Sequence, residues 1–265
     1  MKPRLFIFGL GYTAGRISAA LEAIGWEVIA TGRDGQFSFD DEGSVRLGLA
    51  DASHVLSSVP PGGEGVDPVL DRYGDTLRGK GWIGYLSSTG VYGDTGGAWV
   101  DESALLAGFG VTGRRSARSE ADLAWQALGA RVFRLPGIYG PGRSVFERVA
   151  SGTARRIDMP SQVFSRVHVD DIVSGVLAAL DAPAGVYNLA DDCPTSQNTL
   201  IEAACRLLRR TPPPLMTLDQ ANLSPMALGF YAENRRVANG KARRLLGWVP
   251  RFPTYREGLA GLLAG

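Results

Sequence analysis

The first residues that could do chemistry form a glycine-rich segment. Gly9, Gly11 and Ala14 are the small residues of the sequence GLGYTA, which follows the apolar run Leu5–Phe8 directly. Gly9 allows a tight turn, Gly11 lets the backbone approach a pyrophosphate, and Ala14 lets a helix pack closely on a strand. The free N–H groups at the start of such a helix face the phosphates. The spacing therefore predicts a dinucleotide site, and the alternative is a glycine-rich turn without a ligand.

Arg33 gives a second chemical signal, at the end of the predicted strand Trp26–Thr31. An acidic residue in this position binds the ribose hydroxyls of NAD, whereas an arginine suits the 2′-phosphate of NADP. Arg33 together with Thr31 predicts NADP, and NAD is the alternative cofactor. The competing interpretation of Arg33 is a solvated side chain in a turn beside Asp34.

The hydrophobic pattern predicts the elements that must position these residues. Strands are predicted at Leu5–Phe8, Trp26–Thr31, Arg46–Leu49, His54–Val59, Trp82–Ser88 and Arg131–Leu135. Helices are predicted between them at Thr13–Ile24, Asp67–Leu77 and Ser116–Leu128. Strands that alternate with helices form a parallel, doubly wound sheet. The predicted fold class is therefore α/β, with a Rossmann-type doubly wound parallel sheet.

The pattern changes after the turn Gly140–Gly142. Further strands are predicted at Gln162–Val169 and Ala184–Leu189, and further helices at Val145–Ala150 and Lys241–Leu246. We expect Asp170 or Asp171 to cap a helix that ends near Leu180, and Thr195 or Ser196 to cap one that ends near Leu208. The prediction is a dinucleotide-binding domain of residues 1–140 and 162–192. Residues 141–161 and 193–265 would form a small, mostly helical C-terminal substrate lobe.

Composition argues against several classes of partner. The chain has 265 residues, 45% of them hydrophobic and 21% charged, with a formal net charge of +1. Such a balance predicts neither a nucleic-acid partner nor a membrane surface. The two cysteines, Cys193 and Cys205, have no metal-ligand spacing with the two histidines, so no metal is predicted. No signal peptide or membrane-spanning apolar run is recognised, and a cytoplasmic location is expected.

Five further segments occur in the order of a known family. They are Tyr85–Asp94 (YLSSTGVYGD), Arg134–Gly142 (RLPGIYGPG), Arg166–Asp171 (RVHVDD), Val186–Leu189 (VYNL) and Leu245–Trp248 (LLGW). With the glycine segment, they resemble the extended short-chain dehydrogenases/reductases of the NAD-dependent epimerase/dehydratase branch. The resemblance covers nearly the whole chain. It implies a Rossmann fold, a nicotinamide cofactor, a small-molecule substrate held between domain and lobe, and pairing into a homodimer through Rossmann helices.

The resemblance and the two signals above together assign the residues that contact the cofactor. They are Gly9, Gly11, Tyr12, Thr13, Ala14, Thr31, Arg33, Ser57, Ser58, Val59, Pro60, Ser87, Leu135, Pro136, Gly137 and Tyr139. Among them, Tyr139 is expected to pack near the nicotinamide. For Ser57–Pro60, a loop that is simply broken by proline is an equal alternative for any one side chain.

The resemblance places the catalytic serine at Ser88, whose hydroxyl would bond a substrate carbonyl or alcohol. The family's proton donor is the tyrosine of a Tyr-x-x-x-Lys motif, in which the lysine lowers the pKa of the tyrosine. This chain contains no such motif, and the aligned positions hold Thr112 and Ser116. The chain is therefore identified as an atypical member, in which the usual proton transfer is absent or rerouted.

Two side chains are candidates to replace the missing pair. Tyr92 is a candidate acid, although the family uses this position for packing. Arg114 could polarise a carbonyl or bind a substrate anion, but a solvated arginine is an equal alternative. Arg143, Arg166 and Arg235 are further residues that could line the substrate cleft, by loose analogy with nucleotide-sugar enzymes.

Three functions remain open on the sequence alone. The first is an NADP-dependent oxidoreductase that moves a hydride between the nicotinamide and a small carbonyl or alcohol. The second is a dinucleotide-binding sensor or regulatory protein without turnover, which the missing pair favours. The third is a nucleotide-sugar epimerase or dehydratase, which is less favoured because those enzymes need the pair.

Overall fold

The computed structural model of the chain describes residues 2–62, 66–108 and 114–264, without the side chains of Arg114, Arg115 and Met226. Its strands are β1 (Arg4–Phe8), β2 (Glu27–Ala30), β3 (His54–Ser57), β4 (Trp82–Ser88), β5 (Trp99–Val100), β6 (Arg131–Leu135), β7 (Gly137–Tyr139), β8 (Arg156–Ile157), β9 (Arg166–His168), β10 (Gly185–Asn188), β11 (Leu215–Met216) and β12 (Arg236–Val237). Its helices are α1 (Tyr12–Ala23), α2 (Glu42–Asp51), α3 (Pro68–Leu77), α4 (Arg114–Ala127), α5 (Val145–Ala150), α6 (Val169–Ala178), α7 (Gln197–Leu207), α8 (Pro225–Tyr231), α9 (Gly240–Leu246) and α10 (Tyr255–Ala264). A 3-10 turn, Thr89–Tyr92, follows β4.

A parallel sheet of six strands organises the described part of the chain, in the spatial order β10-β6-β4-β3-β1-β2. The predicted α/β class with a Rossmann-type parallel sheet is confirmed. The strand order reverses at β1, which pairs with β2 on one side and with β3 on the other. In open sheets of this kind, ligands bind outside the carboxyl ends of the strands at that reversal. The turns that follow β1 and β3 are therefore the expected place for a ligand.

Helices cover both faces of the sheet. On one face, α1 and α6 bury Ile17, Leu21, Ile172 and Val176 against the strands. The other face is covered by side chains of α2, α3 and α4, among them Val45, Leu49, Tyr73 and Trp125. Because both faces are buried, the central strands are continuous apolar runs, and Phe6, Ile7 and Phe8 of β1 are fully buried. The sheet is therefore a rigid support for the residues at its carboxyl edge.

The prediction of a strand at Arg46–Leu49 is wrong, because these residues belong to helix α2. The side chain of Asp41 caps the helix by accepting a 3.1 Å hydrogen bond from the backbone N–H of Ser44. Within this helix, Leu47 is 74% exposed while Leu49 is buried. The buried positions Val45, Gly48 and Leu49 follow the helical spacing instead.

The predicted cap of helix α6 is also wrong. The helix begins at Val169, and the ring Nδ1 of His168 accepts the capping hydrogen bond from the backbone N–H of Asp170. The carboxylate of Asp171 instead accepts bonds from the backbone N–H groups of Arg251 and Phe252, and so it ties α6 to a distant segment. The strand predicted at Gln162–Val169 is shorter than expected, because only the residues of β9 form a ladder, while Phe164 makes an isolated bridge to Thr195.

A separate apolar cluster lies beyond the sheet. It joins α5, α7 and α10 through the buried residues Val145, Val149, Ala154, Leu200, Ile201, Ala204, Cys205, Tyr255 and Leu259. The division into domain and lobe at the stated boundaries stays a prediction. Within residues 2–62, 66–108 and 114–264, no helix is both long and apolar enough to cross a bilayer. The same residues contain no group of three histidine, cysteine or acidic side chains arranged to hold a metal ion.

Candidate functional site

The glycine turn after β1 lies close to the ends of two neighbouring strands. Gly9 has φ +82°, and a Cβ atom there would lie 3.0 Å from Oγ of Ser58 and 3.1 Å from Cγ2 of Val59. The backbone N–H of Leu10 donates a 2.8 Å hydrogen bond to the carbonyl of Thr31, and the N–H of Gly9 donates to its Oγ1 at 3.2 Å. Only glycine fits this left-handed and crowded position. The ends of β1, β2 and β3 are thus fixed relative to each other.

The next residues of the turn leave space for a ligand. A Cβ atom on Gly11 would meet no atom within 4 Å, and the first turn of α1 is not capped by a side chain. The N–H groups of that turn are therefore available to an anion, and the helix dipole favours one there. Ala14, in the first turn of α1, is fully buried. These features fit the pyrophosphate of a dinucleotide, as the sequence predicted.

Arg33 lies in the loop after β2. A Cβ atom on its neighbour Gly32 would lie 3.0 Å from the backbone nitrogen of Leu10, so this loop packs directly against the glycine turn. Arg33 itself is exposed. Arg33 follows Gly32, which contacts the glycine turn, but Arg33 does not line the neighbouring cleft. A role in binding the 2′-phosphate stays a prediction.

One cleft, with a volume of about 1010 Å³, extends from the glycine turn to the helices beyond the sheet. Twelve of the residues predicted for the site line it, namely Gly11, Tyr12, Thr13, Ala14, Ser58, Pro60, Ser87, Ser88, Leu135, Pro136, Gly137 and Tyr139. The predicted residues that do not line it are Gly9, Thr31, Arg33, Ser57, Val59 and Tyr92. Among these, Gly9 belongs to the glycine turn itself, and Thr31 and Val59 lie against it. Thr112 and the side chain of Arg114 lie outside the described residues.

Ser88 is positioned by the end of β4. Its Oγ accepts a 3.1 Å hydrogen bond from the backbone N–H of Gly90, which caps the 3-10 turn. This bond uses an acceptor site of the hydroxyl, so its hydrogen stays available to a ligand. Ser88 lines the cleft together with residues of the glycine turn. The hydroxyl of Ser88 therefore has a free donor at the wall of the cleft.

Tyr92 lies in the interior and not in the cleft. Its hydroxyl donates a 2.7 Å hydrogen bond to Oδ1 of Asn188 and accepts a 3.0 Å bond from NH1 of Arg134. Burial raises the pKa of Tyr92 to about 12. A phenol that is so held has no path to a substrate in the cleft. This arrangement argues against Tyr92 as the replacement acid.

Tyr139 lines the cleft, but its hydroxyl is buried and has no hydrogen-bond partner among the described residues. Its ring meets the ring of His168 edge to face at 5.1 Å. A Cβ atom on Gly258 would lie on the Tyr139 hydroxyl, so glycine is required where α10 crosses it. Burial raises the pKa of this phenol above its usual range. Tyr139 thus contributes its ring face to the cleft and holds its proton.

The wall of the cleft away from the glycine turn is rich in arginine. Arg118, Arg143, Arg148, Arg155, Arg166 and Arg235 line it, with Glu147 and Glu233 as the acidic residues and no lysine among the described residues. Both glutamates have partners, because Glu147 accepts from the backbone N–H of Ser144 and Glu233 pairs with Arg235. The lining therefore has an excess of positive charge that suits an anionic ligand.

Sequence reasoning named three of these arginines and missed the other three. Arg143, Arg166 and Arg235 are confirmed as lining residues, whereas Arg118, Arg148 and Arg155 were not singled out. Arg118 follows Arg114 by one helical turn, and this spacing was the available signal for it. At the position aligned with the family's lysine, the hydroxyl of Ser116 donates a 2.6 Å bond to Oε1 of Glu120.

Comparison with known proteins identifies a curated relative of part of this chain. No family model matches the chain. A curated relative, a 3-diazoavenalumate denitrifying reductase from Streptomyces sp, is 33% identical over 164 residues, which are 57% of this chain and 53% of the relative. The chain thus spans about half the length of that relative.

Solved structures match over the whole chain. A human epimerase family protein with NADPH has a TM-score of 0.76 at 16% identity and 99% coverage of both chains. A dTDP-glucose 4,6-dehydratase from Bacillus anthracis with NAD has a TM-score of 0.73 at 15% identity, with 99% of this chain and 96% of that chain covered. The fold is that of NAD(P)-binding epimerase/dehydratase proteins.

A closer likeness is to a functionally unknown conserved protein from Silicibacter pomeroyi DSS. The two are 40% identical, 99% of each chain is covered, and the TM-score is 0.87. This chain belongs to the same family as the Silicibacter protein.

Proposed function

We propose that this chain is an NADP-dependent oxidoreductase that reduces a small electrophilic substrate. The observation that carries the proposal is the single cleft that joins the glycine turn, Ser88 and the arginine-rich wall. A cofactor held at the turn and a substrate held at that wall would meet at Ser88. Of the two cofactors, NADP is favoured by Arg33 next to the turn, and NAD is the alternative.

The chain's own residues would hold the cofactor in the following way. Backbone N–H groups of Tyr12 and Thr13 would bind the pyrophosphate, and Ser58 and Pro60 would lie beside the adjoining ribose. Leu135–Gly137 and the ring of Tyr139 would pack against the nicotinamide. When bound and reduced, this group supplies a hydride.

Ser88 would then act on the substrate. Its free O–H would donate a hydrogen bond to the atom on which negative charge develops, which stabilises that charge. Arg118 lies in the same lining and adds a positive charge from helix α4, the helix that carries the tyrosine and lysine in typical members of the resembled family. This pair supplies electrostatic stabilisation without a tuned phenol, and the proton would come from water.

The reductive direction is supported by the Streptomyces relative, whose name is that of a reductase. We infer the same direction for this chain from its identity to that protein. A denitrifying reduction replaces a nitrogen leaving group by hydride, and such a step does not need a phenol that protonates an alkoxide. The missing Tyr-x-x-x-Lys motif is compatible with that chemistry.

Calorimetric titration with NADPH and NADH tests the cofactor site directly. Wild-type protein should bind NADPH with micromolar affinity. Gly11→Ala places a methyl group in the open space where the pyrophosphate would lie, so it should abolish binding at a stability cost of at most about 1 kcal/mol.

A matched control is available in the same helix. Gly15→Ala also meets no atom within 4 Å, but it lies inside α1 and should raise the free energy of unfolding by up to about 1 kcal/mol. Its NADPH affinity should equal that of wild type. If wild-type protein binds neither cofactor, the oxidoreductase proposal fails; if it binds NADPH but turns over no electrophile, a sensor is the better description.

A further inference from the structure

The chemistry of the arginine-rich wall points to a class of substrate. Arg166 is the most deeply placed of its cations, with only 5% of the residue exposed. NH1 of Arg166 donates to the backbone carbonyls of Phe164 at 2.9 Å and Thr195 at 3.0 Å. It forms no ion pair with another described residue. Asp191 supplies the largest opposing charge, but Asp191 does not line the cleft.

Burial without a direct counter-ion is costly for a guanidinium. Here, burial lowers the pKa of the Arg166 guanidinium to about 10. Arg148, on helix α5, lines the same wall and lies close enough to repel Arg166. Arg148 likewise forms no ion pair within the part of the chain that the structure describes. Two like charges that face one cavity are stabilised by an anion between them.

Gln197 adds an oriented donor to these charges. Its Oε1 accepts a 3.4 Å hydrogen bond from NH2 of Arg166, and a guanidinium has no acceptor, so the amide nitrogen of Gln197 must face away. That nitrogen is buried and has no partner among the described residues. A buried unpaired donor is unfavourable unless a ligand supplies the acceptor. Gln197 lines the cleft.

An aromatic wall adjoins the same donors. Phe164 and Tyr231 meet edge to face at 5.4 Å, and the guanidinium of Arg166 lies 5.9 Å from the centre of the Phe164 ring. Both rings line the cleft. The wall therefore suits a compact anion attached to a flat apolar group.

We propose that Arg148, Arg166 and Gln197 bind the carboxylate of an aromatic acid, with its ring against Phe164 and Tyr231. This subsite names the substrate class of the reductase and rests on the proposed function for its catalytic role. The binding itself needs no turnover. It can therefore be tested separately.

Ligand-observed NMR with cinnamate and with its neutral amide, cinnamamide, tests the charge requirement on the full chain. Cinnamate should bind, and the amide should bind at least about tenfold more weakly because it lacks the charge-assisted bonds. Phenyl phosphate and UDP-glucose are the competing probes. Equal binding of the amide, preferential binding of either phosphate compound, or no binding of cinnamate would overturn the proposal.

Gln197→Glu tests binding at the subsite without lowering the stability of the fold. The new carboxylate would face Arg166 as a counter-ion, so the melting temperature should be unchanged or higher. Repulsion between this carboxylate and that of cinnamate should weaken cinnamate binding by at least about tenfold. Gln220→Glu is the matched control, because Gln220 is exposed and its side-chain oxygen accepts only from Thr217. Cinnamate affinity that survives in Gln197→Glu contradicts the subsite.

The NADPH titration keeps the two proposals apart. Normal NADPH binding without cinnamate binding removes the carboxylate subsite and leaves the oxidoreductase proposal. Cinnamate binding without NADPH binding removes the oxidoreductase proposal and leaves the carboxylate subsite. Arg148→Gln should reproduce the loss of cinnamate affinity with NADPH affinity intact, since Arg148 belongs to α5 and is not part of the glycine turn.

Discussion

Arg134 and Asp122 form a buried ion pair near the carboxyl ends of β4 and β6. NH2 of Arg134 donates to Oδ1 of Asp122 at 2.7 Å, and its Nε donates to Oδ2 at 3.1 Å. Their side chains are 2% and 0% exposed. A two-point bond of this kind fixes both groups in orientation. The pair joins α4 to β6, the strand that pairs with β4 and thereby lies beside Ser88.

Tyr92 is part of this interior network, and Tyr92→Phe should therefore affect stability and not turnover. The substitution leaves Asn188 Oδ1 and one Arg134 N–H without their bonds, at a cost of about 1–3 kcal/mol. Urea denaturation should detect this loss. NADPH affinity and kcat should stay within about twofold of wild type. A stable variant with a large loss of kcat would restore Tyr92 as the acid.

Ser88→Ala should lower kcat by about 100-fold, the scale of one lost donor to a developing charge. NADPH affinity should be unchanged, because the dinucleotide turn does not use the hydroxyl. Ser88 Oγ also caps the 3-10 turn through Gly90, so stability must be measured in parallel. Ser88→Thr keeps a hydroxyl and should recover part of the rate. Full activity in Ser88→Ala would remove Ser88 from the mechanism.

The parts of the site that were predictable are those encoded within a few adjacent residues. The glycine turn is one example, because Gly9, Gly11 and Ala14 each answer a steric requirement of a single strand-turn-helix unit. Ser88 is another, since the adjacent residues Tyr85–Asp94 carry the resemblance that singled it out. In both cases, local sequence and global fold impose the same conformation.

Features that depend on distant segments were not predictable from one sequence. Arg148 of α5 and Gln197 of α7 were not named, because only folding brings them to the cleft that Arg166 of β9 also lines. Asp171 was expected to cap its own helix, but its carboxylate binds a segment 80 residues away. The short run Arg46–Leu49 fits a strand or a helix equally well, and burial against the sheet decided for the helix.

Arg33→Ala should weaken NADPH binding by about 1–3 kcal/mol and leave NADH binding nearly unchanged, because only NADPH carries the 2′-phosphate. Calorimetry with both cofactors measures the difference. Arg78→Ala, which removes another exposed arginine at the end of α3, is the control and should change neither affinity. An equal loss for NADPH and NADH would contradict the assignment of Arg33.

Asp191 should make the protein less stable as the pH rises. Burial raises the pKa of its carboxyl to about 7, although Arg166 acts in the opposite direction. In the unfolded chain an aspartate ionises near pH 4. Between about pH 4 and pH 7 the folded state therefore keeps a proton that the unfolded state has released, and the free energy of unfolding falls as the pH increases.

Asp191→Asn cannot titrate, so it should remove this part of the pH dependence. Its free energy of unfolding relative to wild type should rise between pH 4 and pH 7, by up to about 1.4 kcal/mol per pH unit. The backbone N–H of Cys193 keeps an acceptor, because asparagine retains the oxygen that bonds it. Chemical denaturation at pH 5 and pH 8 measures the change, with the exposed Asp219→Asn as control. Parallel pH profiles for wild type and Asp191→Asn would show that the buried carboxyl ionises normally.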